Sequence, residues 1–274
     1  MRVQHSVRVL GVDVDEDLLS RWRAWFAPGV QPFRVDRLHP RVATLLPPTA
    51  ARAAAPTGPP AVSDEVRDAF GVHAGTWAWF DEEGFDALHG DVRRALMAER
   101  RRSQDGRPLP PWPSAPAEHI DRLLVEWLSL GVRPSLHLGV GRDVWVRVAR
   151  RLPVARALSG TYPSSSGPNS FGTVIAAAGD TLADHVVHDD TFAAWLAANT
   201  RPVRGTLRDA DPGVVLVWTH AGRPTHAAVT IGGGWALHKP SDAWFSARTV
   251  RTVSEVVATL RRPGTRLVRR LIER

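Results

Sequence analysis

The chain has 274 residues, 43% of them hydrophobic and 23% charged, which is a globular composition with enough length for one large domain or two modest ones. No apolar run approaches the ~20 residues needed to span a bilayer. Nor does a basic-then-apolar leader open the sequence, so a cytoplasmic protein with no membrane partner is expected. Cysteine is absent, which excludes disulfides, thiolate metal centres and a thiol nucleophile in the chain as it stands.

The formal charge is +7, from 35 basic and 28 acidic residues, and Lys239 is the only lysine. Such a balance favours acidic partners such as a phosphorylated ligand or an acidic carrier protein. The arginines are scattered rather than clustered, which speaks against nucleic acid.

In chain order, valines and Leu10 alternating over Val7 to Val14 predict a strand. Asp15 is an N-cap candidate for a helix through Leu18, Leu19, Trp22 and Trp25 to Phe26. The stretch from Pro47 to Pro60 has no periodicity and reads as a linker or covering loop. Ser63 caps a resumed helical pattern that takes in Trp77, Trp79 and Phe80, and a further helix is expected over Phe85 to Arg102. Pro108 to Pro116 forms a second break, followed by an amphipathic helix from Ala117 to Leu130 with Ile120, Leu123, Leu124 and Trp127 on one face. Nothing before about residue 140 carries nameable chemistry.

The second half is richer. Val144 to Leu158 reads as a helix, and a turn-rich approach through Tyr162 to Asn169 leads into a small-residue helix that starts at Ser170 and closes at Gly179. A nucleophile at such a start feels the positive end of the helix dipole and has free backbone N–H groups beside it. The plainer alternative is that Asn169 or Ser170 is only an N-cap. Pro212 to Trp218 predicts a buried strand, and His226 to His238 a hairpin turning at Gly232, Gly233 and Gly234. A three-residue loop would put His226 and His238 on one sheet face as diagonal neighbours, whereas a two-residue loop would put them on opposite faces. Two histidines on one face suit a base with its orienting partner, a pair of metal ligands, or half-buried side chains bonded to backbone.

Taken in order, Gly160-Thr-Tyr162, Asn169-Ser170-Phe-Gly-Thr-Val174, Pro212-Gly-Val-Val-Leu-Val217, His226-Ala-Ala-Val-Thr-Ile-Gly232 and His238 resemble the motifs of the NlpC-type branch of the papain-like cysteine peptidases and amidases. The match spans about residues 142–260. It implies an α+β fold, with a papain-like core whose nucleophile helix packs on an antiparallel sheet in residues 141–274. Residues 1–140 are then an N-terminal α/β extension for substrate or carrier recognition. It also implies an acyl-enzyme: residue 170 attacks a carbonyl, His226 moves the proton, and His238 orients His226. The residue 170 amide, aided by Tyr162, would hold the oxyanion. No cofactor or metal is called for, and the substrate is a small-molecule or peptide acyl compound.

The sequence departs from that family at the nucleophile, where Ser170 replaces cysteine, and at Asn169 and Phe171, which stand for its Asp and Ser. Serine ionises far less readily than a thiol. An engineered Cys-to-Ser replacement, a natural serine enzyme and a pseudoenzyme all fit; the retained histidines and small-residue helix favour the replacement. With no export leader, an intracellular acyltransferase or amidase is expected. A hydrolytic peptidase or a non-catalytic binding module is the alternative. A rival motif, Asp184-His185-Val-Val-His188-Asp189-Asp190, partly resembles the signature of condensation-type acyltransferases and offers metal ligands. The chain is short for that two-lobed fold, and Asp189 or Asp190 is expected to cap a helix from Thr191 to Asn199 instead.

Overall fold

A computed structural model describes residues 7–48, 50–54, 63–104, 108–112, 116–181, 185–206 and 208–273. The fold is α+β with antiparallel sheets, and its contacts divide into two compact units. One covers Asp15–Leu130. The other joins Gly131 onward to the N-terminal segment ending at Val14. The division therefore falls ten residues before the expected 140/141 boundary, and the first strand segment belongs with the second unit.

In the first unit α1 (Glu16–Phe26) starts as expected, with the Asp15 carboxylate accepting Leu18 N–H at 2.8 Å. Strand β3 (Gln31–Arg34) and α2 (Pro40–Ala43) follow, then β4 (Ala51–Ala54), α3 (Asp64–Phe70) and β5 (Thr76–Phe80). The unit ends with α4 (Glu82–Asp86), α5 (Gly90–Ser103) and α6 (Ala117–Ser129).

Three expectations change here. The proline-rich 47–60 stretch contains β4, which pairs with β5; residues 55–60 lie outside the described residues. The Trp77–Phe80 cluster is a strand and not helical, because Gly71 ends α3 in the left-handed region and the chain re-enters extended after Gly75. Period two then governs: Ala78 and Phe80 join a core with Phe33, Phe85 and Leu96. The 85–102 helix is two helices, since His89 caps a fresh start at Gly90 by accepting Asp91 N–H at 3.2 Å. Within this core Arg100 is buried, bonds Gln31 Oε1 at 2.8 Å and Pro32 O at 3.0 Å, and lies over the Phe33 ring at 3.8 Å. Burial pushes its guanidinium down to about 9.

The second unit opens with a hairpin, β1 (Val7–Val9) and β2 (Val12–Val14), where one strand was expected. Leu10 and Gly11 both have positive φ, 53° and 80°, so the chain reverses between the two strands. After α7 (Arg142–Val148) and α8 (Ala155–Leu158) come α9 (Ser170–Ala177) and α10 (Asp189–Asn199). The expected Val144–Leu158 helix is thus split, with Pro153 standing just ahead of α8. The remaining elements are β6 (Thr200–Val203), β7 (Pro212–His220), β8 (Arg223–Gly232), β9 (Trp235–His238), β10 (Thr249–Thr252), α11 (Val253–Thr259) and β11 (Thr265–Ile272). They form a six-stranded antiparallel sheet in the order β10-β9-β8-β7-β11-β6.

That sheet is covered on both faces. Ala227, Val229 and Leu237 pack with Val174, Ile175 and Ala177 of α9. Ala228, Ala236 and Trp218 pack on the other side with Val253 and Val256 of α11. Every residue of α9 is buried, which explains why it carries small side chains and no polar stripe. No helix among the described residues is long and apolar enough to cross a membrane.

Candidate active site

Asn169 caps α9: its Oδ1 accepts Gly172 N–H at 2.9 Å, and its Nδ2 donates to Val187 O at 2.7 Å. The cap expected at this helix is therefore Asn169, and the next residue, Ser170, is left for another task. The amides of Ser170 and Phe171 have no acceptor within the helix, and among the described residues neither donates elsewhere. Two backbone donors at the positive end of a helix thus flank the Ser170 hydroxyl.

Strand β9 ends at His238, whose partner on β8 is Ala228. Beyond that point β9 no longer pairs with β8. The amide of Ala227 donates instead to Ser170 Oγ, at 3.4 Å. Lys239 fixes the departure of the chain: fully buried, its ammonium donates to Ser241 O and to Ala243 O at 2.6 Å.

The hairpin turn has two residues, Gly233 and Gly234, which on simple alternation would separate the histidines to opposite faces. A bulge between Thr230 and Gly232 adds one residue and restores the parity. Thr230 braces the neighbouring strand, accepting Val214 N–H at 2.9 Å and donating to Asp211 O at 2.6 Å. His226 and His238 consequently share a face, their ring centroids 6.3 Å apart at 73°. Trp218 presents an edge contact to His226 at 5.7 Å. This face is the one that packs on α11, whereas α9 lies on the other. The serine and the histidines meet only at the β8 backbone, through Ala227.

No hydrogen bond joins Ser170 to either histidine among the described residues. Ser170 Oγ donates to no acceptor there. His226 Nε2 and His238 Nδ1 are buried without hydrogen-bond partners. The Ser170 hydroxyl proton therefore has no acceptor and these imidazole nitrogens no donor among the described residues, with the β8 backbone between them. Burial, aided by the nearby Arg262 and Lys239 charges, lowers the His226 pKa to about 4. Burial, with His226 and Arg251 nearby, lowers that of His238 to about 3. Both rings are neutral at pH 7, the state a general base requires.

Folding should record those depressed values. Unfolded histidines titrate near ~6.5 and bind protons that the folded rings refuse, so stability is complete above pH ~6.5 and falls as the pH drops toward the folded values. The expected loss between pH 6.5 and 4 is on the order of a few kcal/mol. Urea denaturation of the Ser170 chain and of a His226→Gln/His238→Gln variant would test this. The variant should show a clearly flatter pH dependence, and equal slopes would contradict it.

Tyr162 has a different engagement. Its hydroxyl donates to Val9 O at 3.3 Å, tying β1 to the approach to α9, and burial raises its pKa. The rival histidines, His185 and His188, are exposed ahead of α10; Asp189 and Asp190 fall in its first turn, and His188 stands at the cap position. Asp184 lies outside the described residues. Among the described residues no group of three metal-ligating side chains converges.

Sequence reasoning did not single out Lys239, Trp218 or Arg262 for this site. Lys239 had a legible signal, being the only lysine in an arginine-rich chain and adjacent to His238. Comparison with protein-family models, with curated proteins and with solved structures found no match.

Proposed function

We propose that the second unit is a papain-like, NlpC-type acyl-transfer domain in which position 170 holds the nucleophile, with cysteine there in the catalytically competent form. The observation that carries this reading is the pairing of unspent groups: the Ser170 hydroxyl proton on one side of Ala227, and the neutral, unpartnered His226 Nε2 on the other. The two side chains lie on opposite faces of the sheet, so this reading requires the His226 end of β8 to rearrange toward Ser170 when substrate binds; catalytic hydrogen bonds are often long or poorly aligned before then.

In the cysteine form, the sulfur attacks the substrate carbonyl as His226 takes its proton, and the Ser170 and Phe171 positions offer amides to the oxyanion. The carbonyl bond to the leaving group breaks, the leaving group takes the proton from His226, and an acyl-enzyme remains. His238, in ring contact with His226, is the orienting residue. Transfer of the acyl group to an amine stands ahead of hydrolysis, with the first unit supplying recognition of substrate or of an acidic carrier protein drawn by the +7 charge. Good orientation of the amine against water is worth about 7–11 kcal/mol.

A second reading is a binding module in which serine is native. The bond from Ala227 N–H to Ser170 Oγ favours it, because it gives the serine a structural task.

The test is intact-mass spectrometry of the Ser170→Cys chain incubated with an activated thioester. One acyl addition mapped to residue 170 and absent from Ser170→Ala supports the enzyme. No addition, or equal addition to Ser170→Ala, favours the binding module.

A further inference from the structure

On the α11 side of the sheet a pocket of about 230 Å³ opens against His238. It lies wholly within the second unit, and the acyl-transfer chemistry proposed above does not use it. Val132 and Val256 supply apolar wall, and Arg133, Arg251 and Glu255 supply the charge. His238 is only 4% exposed, and its unpartnered Nδ1 makes it an unsatisfied polar group in the pocket wall.

The charges do not cancel. Glu255 is one carboxylate shared by two guanidiniums, bonding Arg133 at 3.2 Å and also Arg251. Its second oxygen is taken by Thr252, which bonds it through N–H at 3.2 Å and through its hydroxyl at 2.8 Å. Arg251 is further fixed by donating to Pro134 O at 2.7 Å, and its side chain is 12% exposed. Arg133 is different. It spends one N–H on Glu255, its side chain is 71% exposed, and the rest of its planar fork is uncommitted among the described residues. One net positive charge with a free fork stands at the rim of a small, partly apolar cavity.

We propose that this pocket binds a small organic monocarboxylate with an apolar body. Its carboxylate pairs with Arg133 in the field of Arg251, and its body lies against Val132, Val256 and the His238 ring. A single excess charge suits a monoanion better than a dianion such as phosphate. The planar guanidinium fork matches a carboxylate. The volume is below the ~300–1,000 Å³ of pockets for drug-sized ligands, which sets the occupant at one ring or a short branched chain. Because His238 touches both this pocket and His226, the occupant lies one side chain from the proposed base.

Benzoate is a suitable probe, with benzamide as its neutral counterpart and inorganic phosphate as the alternative anion. Imidazole nitrogen NMR of the full chain, with His238 assigned through His238→Gln, reads binding directly. Benzoate should shift the His238 signals saturably and bind at least tenfold more tightly than benzamide or phosphate. Arg133→Gln, at an exposed position, should weaken benzoate at least tenfold and leave benzamide unchanged. No saturable shift, equal binding of benzamide, tighter binding of phosphate, or indifference to Arg133→Gln would each overturn the proposal. The measurement needs no acyl-enzyme, so its failure and that of the acyl-transfer reading are separately visible.

Discussion

Replacing His226 with alanine in the Ser170→Cys chain is expected to lower turnover of an activated ester by about 10²–10⁴-fold, the usual contribution of a positioned general base. The expectation rests on where the ring stands. His226 is half-buried against Trp218 and His238, neutral at pH 7, and its buried Nε2 has no other hydrogen-bond partner to lose among the described residues. The variant therefore removes a base without orphaning a donor, and the fold should survive, which circular dichroism would check. His238→Ala should cost less than His226→Ala, because His238 acts through the other ring. Equal kcat/KM for the His226→Ala and parent chains, over a pH range that spans thiol ionisation, would remove His226 from the chemistry.

Phe192→Ala is the largest stability effect we expect, about 3–5 kcal/mol for truncating a buried aromatic. Phe192 is fully buried in α10, stacked on Phe171 at 4.4 Å and 14° and close to parallel with Trp195 at 6.2 Å. Phe171 follows Ser170 directly, so the cavity would open behind the start of α9. Urea denaturation followed by tryptophan fluorescence gives the midpoint shift. Phe192→Leu should recover part of the loss, and a loss below about 1 kcal/mol for the alanine variant would contradict the packing described.

Much of the local structure is legible in the sequence where one residue carries the signal. Asp15 and Ser63 cap α1 and α3, and Asn169 opens the small-residue helix. Elements set by backbone turns were harder to read. Leu10 takes a positive φ that its type does not announce, so one strand became a hairpin. Trp77 to Phe80 carries aromatic residues that suit either element, and the glycines before it decide for the strand. The face shared by His226 and His238 depended on loop length, yet the deciding feature is a bulge at Thr230–Gly232 that the run of glycines hides. The pocket beside His238 gathers residues from 131–133, β10 and α11, distant in sequence, and no local pattern connects them.

The most direct measurement of the central claim is the pH profile of iodoacetamide labelling at the single thiol of the Ser170→Cys chain. Two influences act on that sulfur: the amino end of α9 with its unspent amides, and the neutral imidazole of His226 across Ala227. The first favours thiolate through the helix dipole; the second does so only as an imidazolium–thiolate ion pair, in which the negative sulfur offsets the burial that lowers the His226 pKa. The labelling midpoint is expected below the ~8.5 of a free cysteine, moving back toward that value in the His226→Ala background. A midpoint at or above the free-thiol value, unchanged by His226→Ala, would contradict it.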